Sequence, residues 1–157
     1  MAEVLQALHE WQVAAFIRHS EFVYPVLNAT HILALALLIG TILPADLRML
    51  GAFKSVASAP FLRLMTAISA CGLVLAILTG FLLFAVQPLE YAKNPAFLTK
   101  VSLVAIGALL AIVTRFSPAW RIALATGEAG PGLRLAAVAS MAIWLAALIA
   151  GRWIAFV

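Results

Sequence analysis

A single histidine, His31, lies inside the long apolar stretch "NATHILALALLIGTILPADLRMLG", which runs from Asn28 to Gly51. Imidazole binds several transition metals, and in an apolar helical bundle the iron of a b-type heme is the metal that suits it best. Ionisable side chains at membrane depth are functional candidates by default, because hydrocarbon solvates them poorly. His31 is therefore the candidate metal ligand. The competing interpretation is a neutral histidine that bonds to Asn28 or to a backbone carbonyl.

Four other side chains could help to hold a heme beside His31. Asn28 lies about one helical turn before it and is expected to share its face. Lys100 and Arg152 lie toward the matching ends of later apolar stretches, where they could pair with propionates, and Trp144 could pack against the ring. Each has a structural alternative, because Lys and Arg near helix ends commonly extend to the interface and Trp commonly fills a core.

The second axial ligand is not evident from the sequence. The later apolar stretches have no histidine or methionine at the expected level of His31. His19 borders the apolar side of the amino-terminal segment and is the candidate second metal ligand, whereas His9 falls on its polar side. Otherwise the heme would be five-coordinate, or two copies of the chain would share it. Copper bound by these three histidines is an alternative, although their spacing matches no compact motif.

The amino-acid composition indicates that these residues lie in a membrane and not in water. Of the 157 residues, 66% are hydrophobic and 10% are charged, far from the balance of a soluble globular domain. Four stretches are apolar enough to cross a bilayer core of about 30 Å. They span approximately residues 22–43, 61–86, 96–116 and 133–156. The sequence predicts an all-α, integral membrane four-helix bundle in one domain, 1–157, with turns at the Pro-, Gly- and charge-rich connections.

The first twenty residues differ from the rest because charges are spread among the apolar residues. At helical spacing Val4, Leu8, Trp11 and Ala15 fall on one face, while Glu3, Gln6 and Glu10 fall on another. This pattern predicts an amphipathic helix over residues 1–20 that lies in the membrane interface ahead of the bundle. A soluble helix that caps the bundle is the alternative.

Basic residues predict the orientation of the spans. They concentrate around the first and third connections, as Arg48, Lys54, Arg63, Arg115, Arg121 and Arg134. Since Lys and Arg favour the cytoplasmic side, we expect a bacterial inner-membrane protein with both termini in the periplasm. The net charge of +4 fits this bias and anionic lipid headgroups. Nucleic acid is not an expected partner, because it requires a clustered basic surface.

Pairs of small residues four positions apart predict close helix contacts. These pairs are Ala36 with Gly40, Ala76 with Gly80, and Ala147 with Gly151. Small side chains let helix backbones approach each other in lipid. The pairs either close the bundle or form a seam to a second copy or to other membrane subunits.

The sequence lacks the residue sets of several common enzyme classes. Cys71 is the only cysteine, which excludes an intrachain disulfide, and no Ser/His/Asp or paired-carboxylate set is evident. Asp46 and Arg48 stand two residues apart, so they point to different sides of a helix. For Asp46 a cap or an ion pair at the membrane edge is the structural interpretation, and proton transfer is the alternative. We do not expect the chain to be an enzyme by itself.

Three stretches carry a resemblance to known membrane proteins. In order they are "YPVLNATHILALALLIGTILPADLRMLG", "ILTGFLLF" and "YAKNPAFLTKVSL". Together they resemble a family of short uncharacterised bacterial inner-membrane proteins that have an intramembrane His before a DLRLLG-like end. More distantly they are similar to copper-resistance D and cytochrome b type bundles, which implies heme or copper. The matching positions are His31, Asp46, Arg48, Gly51, Thr79, Gly80, Asn94, Pro95, Phe97 and Lys100.

Two positions depart from the pattern of that family. Asn28 stands where the resemblance implies an acid, and Thr114 with Arg115 stand where it implies a histidine. From His31 and its neighbours we expect a membrane subunit that binds heme b through His31 and acts in electron transfer or anchors a redox complex. A cofactor-free structural or assembly subunit and a copper-handling protein are the alternatives.

Overall fold

The computed structural model of the chain describes residues 2–156, which form helices and no strands. In chain order the helices are α1 (Ala2–His9), α2 (Gln12–His19), α3 (Val23–Met49), α4 (Ser58–Val86), α5 (Pro88–Tyr91), α6 (Pro95–Phe116), α7 (Pro118–Thr126) and α8 (Pro131–Trp153). A short 3-10 turn, Ile154–Phe156, follows α8.

The four long helices are α3, α4, α6 and α8, and each has a mean hydropathy of at least 2.0 over its most apolar window. Each is also longer than the roughly 20 residues that a hydrocarbon core requires. The predicted all-α fold with four spans is confirmed, and the chain is a multi-pass membrane protein.

The bundle consists of two helical hairpins that meet along one seam. Helices α3 and α4 pack along each other, α6 and α8 do the same, and α3 packs against α8 between the two pairs. Helices α1, α2 and α5 lie at one end, which we call the amino end, and α7 lies at the other, which we call the α7 end. Residues early in α3 and α6 and late in α4 and α8 therefore lie near the amino end.

Gly72 forms a close approach between α3 and α4. A Cβ placed on Gly72 would lie 2.7 Å from the backbone nitrogen of Leu38 and 3.0 Å from the carbonyl oxygen of Ala34. The predicted small residue Gly40 has nothing within 4 Å of such a Cβ, and Ala36 is exposed as well. The close contact of α3 is therefore on its Ala34–Leu38 face, and the Ala36–Gly40 pair faces outward.

The first span is longer than predicted because α3 continues through Pro44 to Met49. The sequence suggested a turn at Pro44, since proline lacks an N–H and conflicts with the carbonyl four residues earlier. That carbonyl belongs to Gly40, and no neighbouring atom lies within 4 Å of a Cβ placed on this residue. In lipid a broken turn would expose further backbone groups, so a membrane helix tolerates an internal proline more readily than an unwound segment.

The amino-terminal segment forms two short helices instead of one. The break at Glu10–Trp11 changes the predicted face: Ala14 and Ile17 of α2 are buried, whereas Val4 is 71% exposed. Arg18 fixes this arrangement because its Nη1 donates to the Val86 carbonyl at the end of α4, at 2.8 Å. The segment is thus attached to the amino end of the bundle.

The third connection contains a helix, α7, where the sequence suggested only a turn. Ser117 caps it by accepting a hydrogen bond from the Trp120 backbone N–H at 3.2 Å, and Pro118 occupies the first helical position. Gly127 ends the helix with φ at +79°, a conformation that glycine adopts without steric cost. Trp120 is buried against the α7 end of the bundle.

Candidate functional site

His31 lies inside the bundle near the amino end and bonds to α4. It is eight residues past the start of α3, or about 12 Å of helical rise. Its Nδ1 lies 2.8 Å from the hydroxyl oxygen of Thr79, and the ring also donates a hydrogen bond to the Ala76 carbonyl. The side chain is half-buried, while Thr79 is buried. The competing interpretation of a hydrogen-bonded histidine thus gains two partners, the predicted backbone carbonyl, which is that of Ala76, and Thr79, which was not predicted.

The Thr79 hydroxyl determines which ring nitrogen carries the hydrogen. Its oxygen donates to the Leu75 carbonyl at 2.6 Å. Since a hydroxyl has a single hydrogen, the same oxygen must accept from His31. In the neutral ring the hydrogen then resides on Nδ1, and Nε2 retains a lone pair. Nε2 is therefore the ring nitrogen that could bind a metal ion.

Two glycines make room for the polar side chains at this level. A Cβ on Gly80 would lie 3.1 Å from Cε1 of His31, so the ring rests directly on the backbone of α4. A Cβ on Gly151 would lie 3.3 Å from Cδ of Lys100, which lies against α8 in the same way. Lys100 is half-buried and within electrostatic range of His31. We call His31, Thr79, Gly80, Lys100 and Gly151 the amino-end site.

The other predicted site residues lie outside the amino-end site. Asn28 and His19 are exposed, and no hydrogen bond links either to His31. Trp144 is 1% exposed in the middle of the bundle, where its ring packs against Gly107. The Arg152 guanidinium lies over the Phe156 ring, 4.8 Å from its centroid. The structure thus brings together His31 and Lys100 from the predicted set.

The histidines do not assemble a site with three ligands. Within residues 2–156 no group of three or more His, Cys, Asp or Glu side chains is placed to hold a metal ion. His9 is engaged elsewhere, because its Nδ1 lies 3.0 Å from Nη1 of Arg18. The copper alternative therefore has no geometric support in the described part of the chain.

A second polar group lies at the α7 end. Asp46 of α3 is 5% exposed, so it is buried inside the bundle, one turn before the helix ends. The Ser140 hydroxyl of α8 bonds to its carboxyl, and Arg115 of α6 lies within electrostatic range. Arg115 also donates to the Ser69 hydroxyl of α4 at 3.3 Å. All four spanning helices contribute to this group.

A hydrophobic layer separates the two polar groups. It contains Leu38, Ile42 and Trp144, with Leu73 and Val104 packed against them. The Trp144 indole nitrogen is buried there without a partner among the described residues. The fold and its polar groups define the class: a small four-span membrane protein with one polar group toward each end and an apolar layer between.

The family of the chain follows from its match to a family model. Residues 8–157 match the model described as "Family of unknown function (DUF6644)", so the chain belongs to that family. The expected membership of an uncharacterised family is confirmed over a longer part of the chain than the predicted resemblance covered. Neither curated proteins nor solved structures include a significant match.

Sequence reasoning singled out His31 and Lys100 as candidates but did not identify the residues that contact them. Thr79 stands 48 positions after His31, and only the rotation of two helices determines that they meet. The matching pattern did include Thr79 and Gly80, which was the available signal. For Asp46 no local pattern indicated Ser140, because the two lie on the first and last spans.

Proposed function

We propose that this protein is a membrane subunit that binds a b-type heme through His31 and acts in electron transfer within a membrane redox assembly. The observation that carries the proposal is the hydrogen bond from His31 Nδ1 to Thr79, which leaves the Nε2 lone pair available. Partners of this kind orient ligating histidines and increase their basicity. A bound heme would supply one-electron chemistry at the iron.

The residues of the amino-end site fit such a group as a one-ligand site. His31 would bind iron, Thr79 would orient the ring, and Lys100 would pair with a propionate. His31 does not line the small cavity between Asp46, Arg115 and Ser140, nor the groove that Glu3, Gln6 and Leu89 form. We therefore propose that a second copy or another subunit completes the site, as the sequence-based expectation of a shared heme allows.

The hydrogen bond to Thr79 gives the first test. Thr79→Val keeps the shape of the side chain but removes the acceptor, so we expect hemin to bind about 10 to 100-fold more weakly than to the unchanged protein. The measurement is a titration of purified protein in lipid nanodiscs, followed through the Soret band.

The matched control is Thr99→Val. Thr99 is exposed, and its hydroxyl bonds only to the Pro95 carbonyl of its own helix, at 2.8 Å. The Thr99→Val variant should bind hemin with the same affinity as the unchanged protein. Unchanged protein that takes up no hemin would rule out the heme proposal. Equal affinities for the two valine variants would contradict the role of Thr79.

We further propose that the protein lies in a bacterial inner membrane with the amino end toward the periplasm. The support is the excess of basic residues around the connections at the α7 end, which favours the cytoplasmic side. Both termini would then be periplasmic.

Cysteine labelling tests this orientation. In a Cys71→Ser background, a cysteine in place of Lys93 at the amino end should react with an impermeant maleimide added to intact spheroplasts. A cysteine in place of Lys54 at the other end should react only after the membrane is opened. The reverse pattern would show the opposite orientation.

A further inference from the structure

A small cavity at the α7 end is lined by polar side chains from all four spanning helices. It has a volume of about 20 Å³, and its polar lining residues are Asp46, Thr66, Thr114, Arg115 and Ser140. A cavity of about 10 to 15 Å³ can hold a water molecule when two or more polar groups surround it. The cavity is thus large enough for one water.

Asp46 contributes an unsatisfied atom to this cavity. Its Oδ2 is buried and has no hydrogen-bond partner among the described residues, whereas the Ser140 hydroxyl bonds to the same carboxyl. Buried carboxyl oxygens that lack a partner are strongly disfavoured, because they lose their hydration without replacement. A proton on the carboxyl or a water in the cavity would satisfy this oxygen.

Arg115 faces Asp46 without touching it. Within the described residues no ion pair at 4.0 Å or less joins the two side chains, although both line the cavity and interact electrostatically. When two buried polar side chains are too far apart for a direct contact, a water molecule commonly bridges them. Asp46 and Arg115 therefore form a pair of opposite charges on the wall of a cavity that fits one water.

We propose that this cavity is a proton-exchange site, in which a bound water links Asp46 to Arg115 and connects the carboxyl to solution at the α7 end. In the exchange, a hydronium ion transfers a proton to the Asp46 carboxylate and leaves as water, and the reverse step releases the proton. Asp46 lies one turn before the end of α3, and Arg115 is one residue from the end of α6, so the path to that surface is short.

The surroundings of Asp46 leave few other groups that could take the proton. On its own helix the nearest charged residue is Arg48, which is 8% exposed and whose Nε has no hydrogen-bond partner within residues 2–156, and α6 contributes Arg115. The other helices at the cavity contribute groups that do not titrate in the ordinary range, namely Thr66 of α4, Trp120 of α7 and Ser140 of α8. Asp46 is therefore the group on which protonation is expected.

The sequence makes this proposal directly testable, because Asp46 is the only aspartate of the 157 residues. Cell-free synthesis with aspartate labelled by carbon-13 at the side-chain carboxyl would label a single carboxyl group. Infrared spectra of the labelled protein in lipid, taken across pH, should show the carboxylic C=O band replaced by the carboxylate bands. Asp46→Asn should lack both. A labelled carboxyl that stays in one form at every pH at which the protein is folded would overturn the proposal.

A pair of matched variants tests the role of the cavity. Ala136→Val adds two methyl groups to a residue that lines it, whereas Ala142→Val makes the same change on an exposed face of α8. We expect the first variant to slow proton–deuterium exchange of the labelled carboxyl at least about tenfold and the second to leave it unchanged. Equal exchange rates in both variants would show that the proton does not pass through the cavity.

Discussion

Gly72→Leu should separate α3 from α4 and destabilise the bundle more than the same change at any outward-facing glycine. Even a single Cβ at Gly72 would lie 2.7 Å from the Leu38 backbone nitrogen, and a backbone cannot yield as a flexible side chain can. Overpacking of a close contact typically costs about 1 to 3 kcal/mol. We expect the leucine variant to reach or exceed the upper end of that range. The free energy of unfolding in lipid bicelles is the measurement.

Gly40→Leu is the control for this prediction. Gly40 lies on the same hairpin, but a Cβ placed on it would have nothing within 4 Å, so a side chain there projects outward. Its free energy of unfolding should stay within about 0.5 kcal/mol of the original, the usual range for surface substitutions. A loss of association between copies in this variant alone would instead identify the outward face as a contact between chains. Equal losses of stability in both variants would contradict the assigned seam.

His31→Ala should abolish the Soret band of hemin-loaded protein, because it removes the proposed iron ligand. His9→Ala should retain the band, since His9 Nδ1 is occupied by Arg18 at the amino end. Absorption and electron paramagnetic resonance spectra of the three proteins give the comparison. A Soret band of full intensity in His31→Ala would mean that heme binds elsewhere.

His19→Ala separates the possible arrangements of the iron. Loss of a low-spin spectrum with heme retained would identify His19 as the second ligand. An unchanged spectrum would favour a five-coordinate iron or a heme shared by two copies. If the unchanged protein binds no heme but is more stable to unfolding than His31→Ala, His31 has a structural role through its bond to Thr79. The difference in free energy of unfolding should then be about 1 to 2 kcal/mol, the value of one interhelical hydrogen bond.

Composition alone was sufficient to predict the four spans, because hydrocarbon solvent imposes a strong requirement on length and polarity. That His31 belongs to a spanning helix followed from its place in the first apolar stretch. Local rules failed at Pro44 and in the amino-terminal segment, where turn and face preferences measured in water gave way to packing and to backbone hydrogen bonding in lipid. These rules describe neighbours in sequence, so they are least reliable where contacts between distant residues determine the local structure.

The partners of the polar residues could not be predicted in this way. Thr79 was part of the matching pattern, yet its bond to His31 depends on the relative rotation of α3 and α4. Asp46 and Ser140 come together only because α3 packs against α8. A single sequence carries no information on which distant residues form such pairs. The three-dimensional structure shows directly that Asp46 Oδ2 is buried without a hydrogen-bond partner among the described residues.

The division into two hairpins has a consequence for how the protein is made. Asp46 belongs to the first hairpin to emerge from the ribosome, whereas Arg115 and Ser140 belong to the second. Until the second hairpin has been inserted, the carboxyl lacks both the hydroxyl of Ser140 and the charge of Arg115, and Arg48 is the nearest charged residue. We therefore expect the first hairpin alone to expose a carboxyl that the complete bundle buries.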